Sequence, residues 1–470
     1  MTNLPLRTVT NFALSDRYRA AVHKFIVGGA HTYSKGDDQF PVLAPAAIAR
    51  GKHGRVWDVD NNEYVDCALG LGAVSLGHAY EPVVGAVREQ LERGAAFQRP
   101  ASIELEVAEA FLALTPGMDR IKFAKNGSNV TTAAVKLARA FTQRELVAFP
   151  GNHPFYSFDD WFIGATSVRA GIPDGVRQFS VTYDSGNPET LRRLFEEYPG
   201  QIACVITEPE EAVPSPPDAI RSIEQIAKSN GAVFIVDEMV TGFRAGLPGS
   251  YTEIGLKPDL ATWGKAIGNG FSFCALTGRA DIMELGGIRQ TEKPRVFLLS
   301  STHGGEAHTL AAARAVVAEY AQHDVIGRHR KLVAQVAAGM REIVARHLLS
   351  DAITVLASPW RVSLACKDAS GTVSPSHRML LMQEMIGRGV LFQGFYIACF
   401  THTEEDIARI LEAFDEACFV YGYALQHGVN ELLVGGAARP VFRKYAGCDN
   451  VCPSIPCPHE STCRSSHVRI

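Results

Sequence analysis

The chain of 470 residues predicts an α/β fold, a mostly parallel sheet covered by helices. Two observations carry that class. Short continuous apolar runs, at residues 202–207 (IACVIT) and 232–236 (AVFIV), read as strands buried on both faces. Segments with helical periodicity stand between and around them. Strand–helix alternation sustained over about 200 residues is the pattern of a parallel sheet with crossover helices.

The elements follow in order along the chain. The first 50 residues carry few periodic signals and read as an irregular arm with one helix. Residues 55–69 (RVWDVDNNEYVDCAL) read as a β-hairpin. Two apolar-rich runs flank Asp60-Asn61-Asn62-Glu63, and Asn and Asp tolerate the positive φ of tight turns. Residues 129–141 place Val130, Ala133, Ala134, Leu137, Ala138 and Phe141 on one helical face, with Ser128 before them as N-cap. A helix over 218–230 ends with Gly231 at its cap, and the strand over 232–236 runs into Asp237. From about Ala311 a long helix leads into a shorter α+β unit. The late helix over 402–425 carries Glu404, Glu405 and Asp406 in its first turn, where negative charge suits the helix dipole. Past Gly435 the periodicity stops. The expected division is therefore an arm and hairpin over 1–75, a large domain over 76–320, a small domain over 321–435 and an irregular Cys-rich tail over 436–470.

Composition narrows the function classes. Hydrophobic residues at 46% and charged residues at 20% exclude a disordered chain. A net charge of −4 lacks the basic excess of a nucleic-acid or anionic-membrane binder. No apolar run reaches the roughly 18 residues of a membrane span. The N-terminal segment lacks the apolar core and small-residue site of a signal peptide. A soluble, cytoplasmic protein is expected. Six scattered cysteines, at 67, 204, 274, 366, 399 and 418, sit mostly in apolar segments and read as buried free thiols.

Three features carry candidate chemistry. Asp237-Glu238 closes an apolar strand: either a structural acid, or an anion held beside a cationic ligand atom. Gly264-Lys265 lies between Trp263 and Ile267: either a solvated loop lysine, or a desolvated one whose amine is nucleophilic toward a carbonyl. Asn126-Gly127-Ser128 opens a helix: either a simple cap, or an anion site built from free N–H groups and a hydroxyl.

Further motifs join these three. They are Trp57-Asp58-Val59-Asp60, Tyr64-Val65-Asp66, Leu76-Gly77-His78, Glu208-Pro209, Asp237 through Arg244 (DEMVTGFR), Pro258-Asp259-Leu260 and Ser301-Thr302-His303-Gly304-Gly305. In this order and spacing the chain resembles, from about Gly28 to Tyr445, the class III pyridoxal-phosphate-dependent aminotransferases of fold type I. Within them it is most similar to the glutamate-1-semialdehyde aminomutase-like branch. The resemblance implies a large cofactor domain with a mostly parallel seven-stranded sheet, a smaller α+β domain, and pyridoxal 5′-phosphate as cofactor. It implies that Lys265 forms the Schiff base and moves the substrate proton, and that Asp237 pairs with the pyridinium nitrogen. Gly127 and Ser128 would cradle the phosphate, and Met239 would pack on the ring. Glu208 would stand on its substrate side, a structural acid at a strand end being the other reading. Thr302 would reach the phosphate of a neighbouring subunit, which implies a homodimer. The implied activity moves an amino group from an amino-acid donor to a carbonyl acceptor, a keto or aldehydo sugar or a natural-product intermediate. The alternatives are a 2,1-aminomutase, an isomerase that shares every cofactor residue, and a non-catalytic cofactor-binding protein.

The departures bear on substrate more than cofactor. Where the family reads Tyr-His-Gly after Pro150-Gly151, this chain has Asn152-His153-Pro154-Phe155-Tyr156. His153 is the first choice for the ring-stacking residue, with Phe155 or Tyr156 behind it. Asn129 replaces the family's usual Glu, and Lys35 stands near the position of a substrate-clamping Arg. Four cysteines at 448, 452, 457 and 463 crowd the tail without the paired spacing of a zinc ribbon. They read first as a disordered extension of the chain that the resemblance does not cover, and no metal is assigned to them; the alternatives are thiolate ligands for zinc or an iron–sulfur cluster, and a tail that lies across the dimer or active site.

Overall fold

The computed structural model describes residues 4–151, 155–209 and 215–443. They fall into two units. One holds the residues up to Leu71, Gly77–Ala79 and those from Gly327 onward. The other holds Gly72–Leu76 and Tyr80–Ile326.

In the first unit, β1 (Ile48–Lys52), β2 (Arg55–Asp58) and β3 (Glu63–Asp66) form an antiparallel ladder. The expected hairpin is β2–β3, and Asp58 organises its turn. Asp58 Oδ1 accepts the N–H groups of Asp60 and Asn62 at 2.9 and 2.8 Å, and Tyr64 donates to Oδ2 at 2.9 Å. Asn61 takes the positive φ, 62°. β1 was not expected. Its residues are exposed except for half-buried Gly51, so it carries no apolar signal.

The second unit is built on seven strands: β4 (Arg120–Ala124), β5 (Leu146–Pro150), β6 (Ser180–Tyr183), β7 (Ile202–Thr207), β8 (Val233–Glu238), β9 (Leu260–Trp263) and β10 (Cys274–Gly278). Their order is β4-β10-β9-β8-β7-β5-β6. Only β10 runs against its neighbours. β5, β7, β8, β9 and β10 are buried along their whole length, which is why their sequences are unbroken apolar runs rather than alternations. The expected α/β class, with a mostly parallel seven-stranded sheet, is the architecture found.

Two local expectations change. The helix spans Gly127–Thr142 and its N-cap is Asn126, whose side chain accepts the Asn129 N–H at 3.0 Å. Ser128 lies inside the first turn instead. Phe141 leaves the buried face, at 40% exposure, with the Arg279 guanidinium over its ring. The helix at Pro217–Ser229 does end as expected. Gly231 has φ +68°, and Ala232 N–H returns to Ala227 O at 3.0 Å.

Back in the first unit, β11 (Ile353–Ser358), β12 (Arg361–Cys366) and β14 (Phe395–Ile397) make a second sheet, while β13 (Val390–Leu391) adds to β3 in parallel. The long helix Glu404–His427 is capped by Thr403, which exchanges hydrogen bonds with Asp406. All six expected thiols are buried. No described helix is long and apolar enough to cross a membrane.

Candidate active site

In open α/β sheets, ligands gather beyond the carboxyl ends of the parallel strands. β4, β7, β8 and β9 all end on one side. There β4 leads into Asn126-Gly127-Ser128, β7 into Glu208, β8 ends in Asp237-Glu238, and β9 leads into Gly264-Lys265. The registers fix their spacing: Thr207 lies opposite Val236, Asp237 opposite Thr262, and Cys274, which starts β10, opposite Ala124. Sequence-distant residues are thus brought to one rim.

Asp237 is buried. Its Oδ1 accepts from Met239 N–H at 2.9 Å and from the Thr262 hydroxyl at 2.8 Å. Neighbouring backbone and strand thereby fix the direction of the carboxylate. Glu238 turns away and is structural. It accepts Tyr251 N–H at 2.7 Å, Ser250 N–H at 3.1 Å and the Thr241 hydroxyl. Burial nevertheless pushes its carboxyl up to about 7.

Lys265 follows Gly264 with φ 47°, in the left-handed region that a side chain enters at a cost. Solvent still reaches its side chain, but protein surrounds it on its other sides. Burial pulls the ammonium pKa below the ordinary lysine value; Glu208 and Asp237 oppose this and Arg244 adds to it. Cys274 beside it stays a neutral thiol, pushed up to about 12 by burial.

Gly127 and Ser128 are the first two residues of a 16-residue helix, so their N–H groups have no helical acceptor. The Ser128 hydroxyl oxygen accepts Phe158 N–H at 3.0 Å, which leaves its proton without an acceptor among the described residues. Met239 ties this cradle to the lysine. A Cβ at Gly127 would stand 3.0 Å from Met239 Cε, and one at Gly264 would stand 2.4 Å from its Sδ.

The other expected residues sort differently. Tyr156 is buried, and its hydroxyl accepts Glu208 N–H at 3.0 Å, so it buttresses the end of β7. Phe155 is half-exposed. His153 lies outside the described residues, as do the four tail cysteines. Lys35 is exposed at the end of a short 3₁₀ turn. Thr302 is exposed and lines a cleft of about 710 Å³ along edge strand β4, with Arg99, Lys122, Ser301 and Glu306; Lys265 and Asp237 are not among its walls. Arg244 and Thr262, by contrast, belong to the cluster and were given no role from sequence. Thr262 carries no motif signal at all.

The donor set fits a phosphorylated aldehyde with a basic ring nitrogen. It has unspent N–H and O–H donors at a helix N-terminus, an oriented carboxylate and an amine biased toward its uncharged form. A Cβ at Gly127 would press into the cradle.

The comparisons agree. Residues 33–354 match the family described as Aminotransferase class-III. A glutamate-1-semialdehyde 2,1-aminomutase of Thermus thermophilus is 30% identical over 436 residues, spanning 86% of this chain and 98% of that relative. The FumI protein of Sphingopyxis sp. MTA144, solved in its PLP internal aldimine form, superposes with a TM-score of 0.80 at 23% identity, covering 88% of this chain and 97% of that one. A glutamate-1-semialdehyde-aminomutase of Pseudomonas aeruginosa PAO1, solved in complex with PMP, gives 0.76 at 22% identity, covering 87% and 94%. The fold is that of these enzymes, and the chain belongs to the class-III aminotransferase family.

Proposed function

We propose that the chain is a pyridoxal-phosphate-dependent aminotransferase that moves an amino group from an amino-acid donor to a carbonyl acceptor. The observation that carries this is the convergence of Lys265, Asp237 and the Gly127-Ser128 cradle at one rim of the sheet. When bound, pyridoxal 5′-phosphate supplies an aldehyde and a ring that draws off electron density. The chain's own residues do the rest. Gly127 and Ser128 bind the phosphate through N–H and O–H donors. Asp237, held by Thr262 and Met239, keeps a proton on the ring nitrogen. Lys265 presents Nζ as the amine that bonds to the cofactor, and then carries the substrate proton. Met239 fixes the floor between cradle and lysine.

Exposed Thr302, set apart from Lys265 in its own cleft, supports a homodimer in which Thr302 completes the partner's phosphate site. Six buried, unpaired thiols suit a reducing cytoplasm. The name of the Thermus relative favours a second reading, a 2,1-aminomutase that shifts an amine within one substrate.

A spectroscopic screen separates the two. A transaminase loses its cofactor band with an amino donor, regains it with a carbonyl, and consumes one donor per product. An aminomutase converts its substrate without consuming a separate donor. Sugar carbonyls and natural-product ketones are the first acceptors to test. Wild-type turnover by Lys265→Ala would sink both readings.

A further inference from the structure

Residues 73–76 form neither helix nor strand, yet Ser75 and Leu76 are fully buried. Backbone N–H groups in such a segment need acceptors that no ladder supplies. The buried side chain of Asn269 supplies them: its Oδ1 accepts Ser75 N–H at 3.0 Å and Leu76 N–H at 2.9 Å. Bonds also run the other way. The Ser75 hydroxyl donates to Ala266 O at 3.1 Å, and Ala73 O accepts Gly270 N–H at 2.8 Å. Residues 73–76 are thus a strap laid on residues 266–270.

The strapped segment is the turn that begins with Lys265. Lys265–Gly268 is a single 3₁₀ turn, closed where Asn269 N–H meets Ala266 O at 3.0 Å. The residues at its two ends stand in the left-handed region, Lys265 at φ 47° and Asn269 at φ 43°. Asn enters that region at little cost, whereas Lys does so at a cost that only its surroundings can hold in place. A turn of four residues has poor hydrogen-bond geometry and little cohesion of its own. Ala266 O is where the restraints meet. It takes one bond from the Asn269 backbone and one from the Ser75 hydroxyl, and it belongs to the residue next to Lys265.

We propose that Asn269 and Ser75 are positioning residues for Lys265, a pin that holds the lysine backbone in its left-handed conformation and so aims Nζ at the cofactor aldehyde. This deepens the function proposed above and rests on its assignment of Lys265. Nζ, once uncharged, bonds the aldehyde carbon, and the aldehyde oxygen leaves as water with both amine protons. The placement of one atom therefore governs the step. The Gly127-Ser128 cradle and Asp237 sit on other elements, so the pin bears on covalent capture and not on occupancy of the cradle.

The test compares two probes on the full-length enzyme stripped of cofactor. Pyridoxal 5′-phosphate can bond to Lys265. Pyridoxine 5′-phosphate, with an alcohol in place of the aldehyde, can only occupy the cradle. Asn269→Gly keeps the left-handed backbone and removes the acceptor. At saturating pyridoxal 5′-phosphate it slows the appearance of the bound absorption band about a hundredfold, while the dissociation constant of pyridoxine 5′-phosphate is unchanged. Ser75→Ala, which removes only the hydroxyl bond, slows capture about tenfold with the same unchanged alcohol binding, and it carries the test should the Asn269 variant not fold. In a Lys265→Ala background Asn269→Gly has no further effect on the binding of either probe. A purely structural role would weaken both probes alike in either background, and that result overturns the proposal. Capture at the wild-type rate by both single variants overturns it too. A wild-type protein that forms no band overturns the cofactor reading, and this proposal with it.

Discussion

A methyl group at Gly127 would meet the flexible end of Met239, whereas one at Gly264 would meet Met239 Sδ and, at 2.7 Å, Cys274 Sγ. The two glycines therefore predict different outcomes. In Gly127→Ala, Met239 can shift, so the fold survives. The cradle is narrowed, and pyridoxal 5′-phosphate binds about tenfold more weakly, a difference of about 1.4 kcal/mol, measured by titrating the cofactor-free protein. In Gly264→Ala the sulfurs of buried Cys274 and half-buried Met239 are overpacked, and the loss appears in stability, about 1–3 kcal/mol by denaturant melting. Asp237→Asn should keep the cofactor bound yet lower turnover at least a hundredfold, since an amide does not hold a proton on the ring nitrogen; unchanged turnover would contradict the role. Lys265, Asp237 and Gly127-Ser128 were legible in the sequence as candidates, because each stands in a short local motif whose chemistry is its own, and the strand ends bring them to one rim. Glu238, Thr262 and Tyr156 were not legible, because their roles come from partners: Ser250 and Tyr251 for the first, Asp237 for the second, Glu208 for the third.

At the scale of the element, the helix Gly127–Thr142 links fold to site. Its buried face, with Val130, Ala134 and Leu137 fully enclosed, anchors it on the sheet and so aims its N-terminus. Loop 155–161 is stitched to its first turns. The Thr131 hydroxyl donates to Tyr156 O at 2.9 Å, and Trp161 Nε1 donates to Thr132 Oγ1 at 2.8 Å. Asn126→Ala should cost about 1 kcal/mol of stability through the lost cap, and Ser128→Ala should instead weaken cofactor binding. Equal effects on both measures would contradict the division between cap and cradle. The periodic elements were readable to within a few residues, because burial on one or both faces imprints a period on the sequence. β1 was not readable, because its side chains are exposed and only its backbone pairs. Ser128 was misplaced because an Asn two residues earlier competes for the cap by the same chemistry.

At the scale of the molecule, buried ion clusters set the acid limit of the first unit. Glu384 is pushed up by burial, but Arg7 at 2.6 Å and Arg388 at 2.7 Å hold it below the usual carboxylate range. Asp406, beside Thr403 and Arg55, is likewise held low against burial. A carboxyl whose folded pKa is depressed binds fewer protons than the unfolded chain. Its stabilisation is present above about pH 4.3 and is lost as pH falls further. The melting temperature should therefore drop below about pH 4.5. Glu384→Gln should start about 3 kcal/mol lower at neutral pH and show a flatter acid limb. Assembly is tested by sedimentation, with a species of twice the 50.9 kDa chain mass expected. Quaternary structure was the least legible level. Nothing local to Thr302 points to a second chain; only its exposure, apart from Lys265, supports the proposed homodimer.

The most direct test is to reduce the pyridoxal-phosphate-loaded enzyme with borohydride and map the peptides by mass. The account predicts a single pyridoxyl-phosphate adduct on Lys265. Adduct absent from Lys265, or carried equally by other lysines, would contradict it.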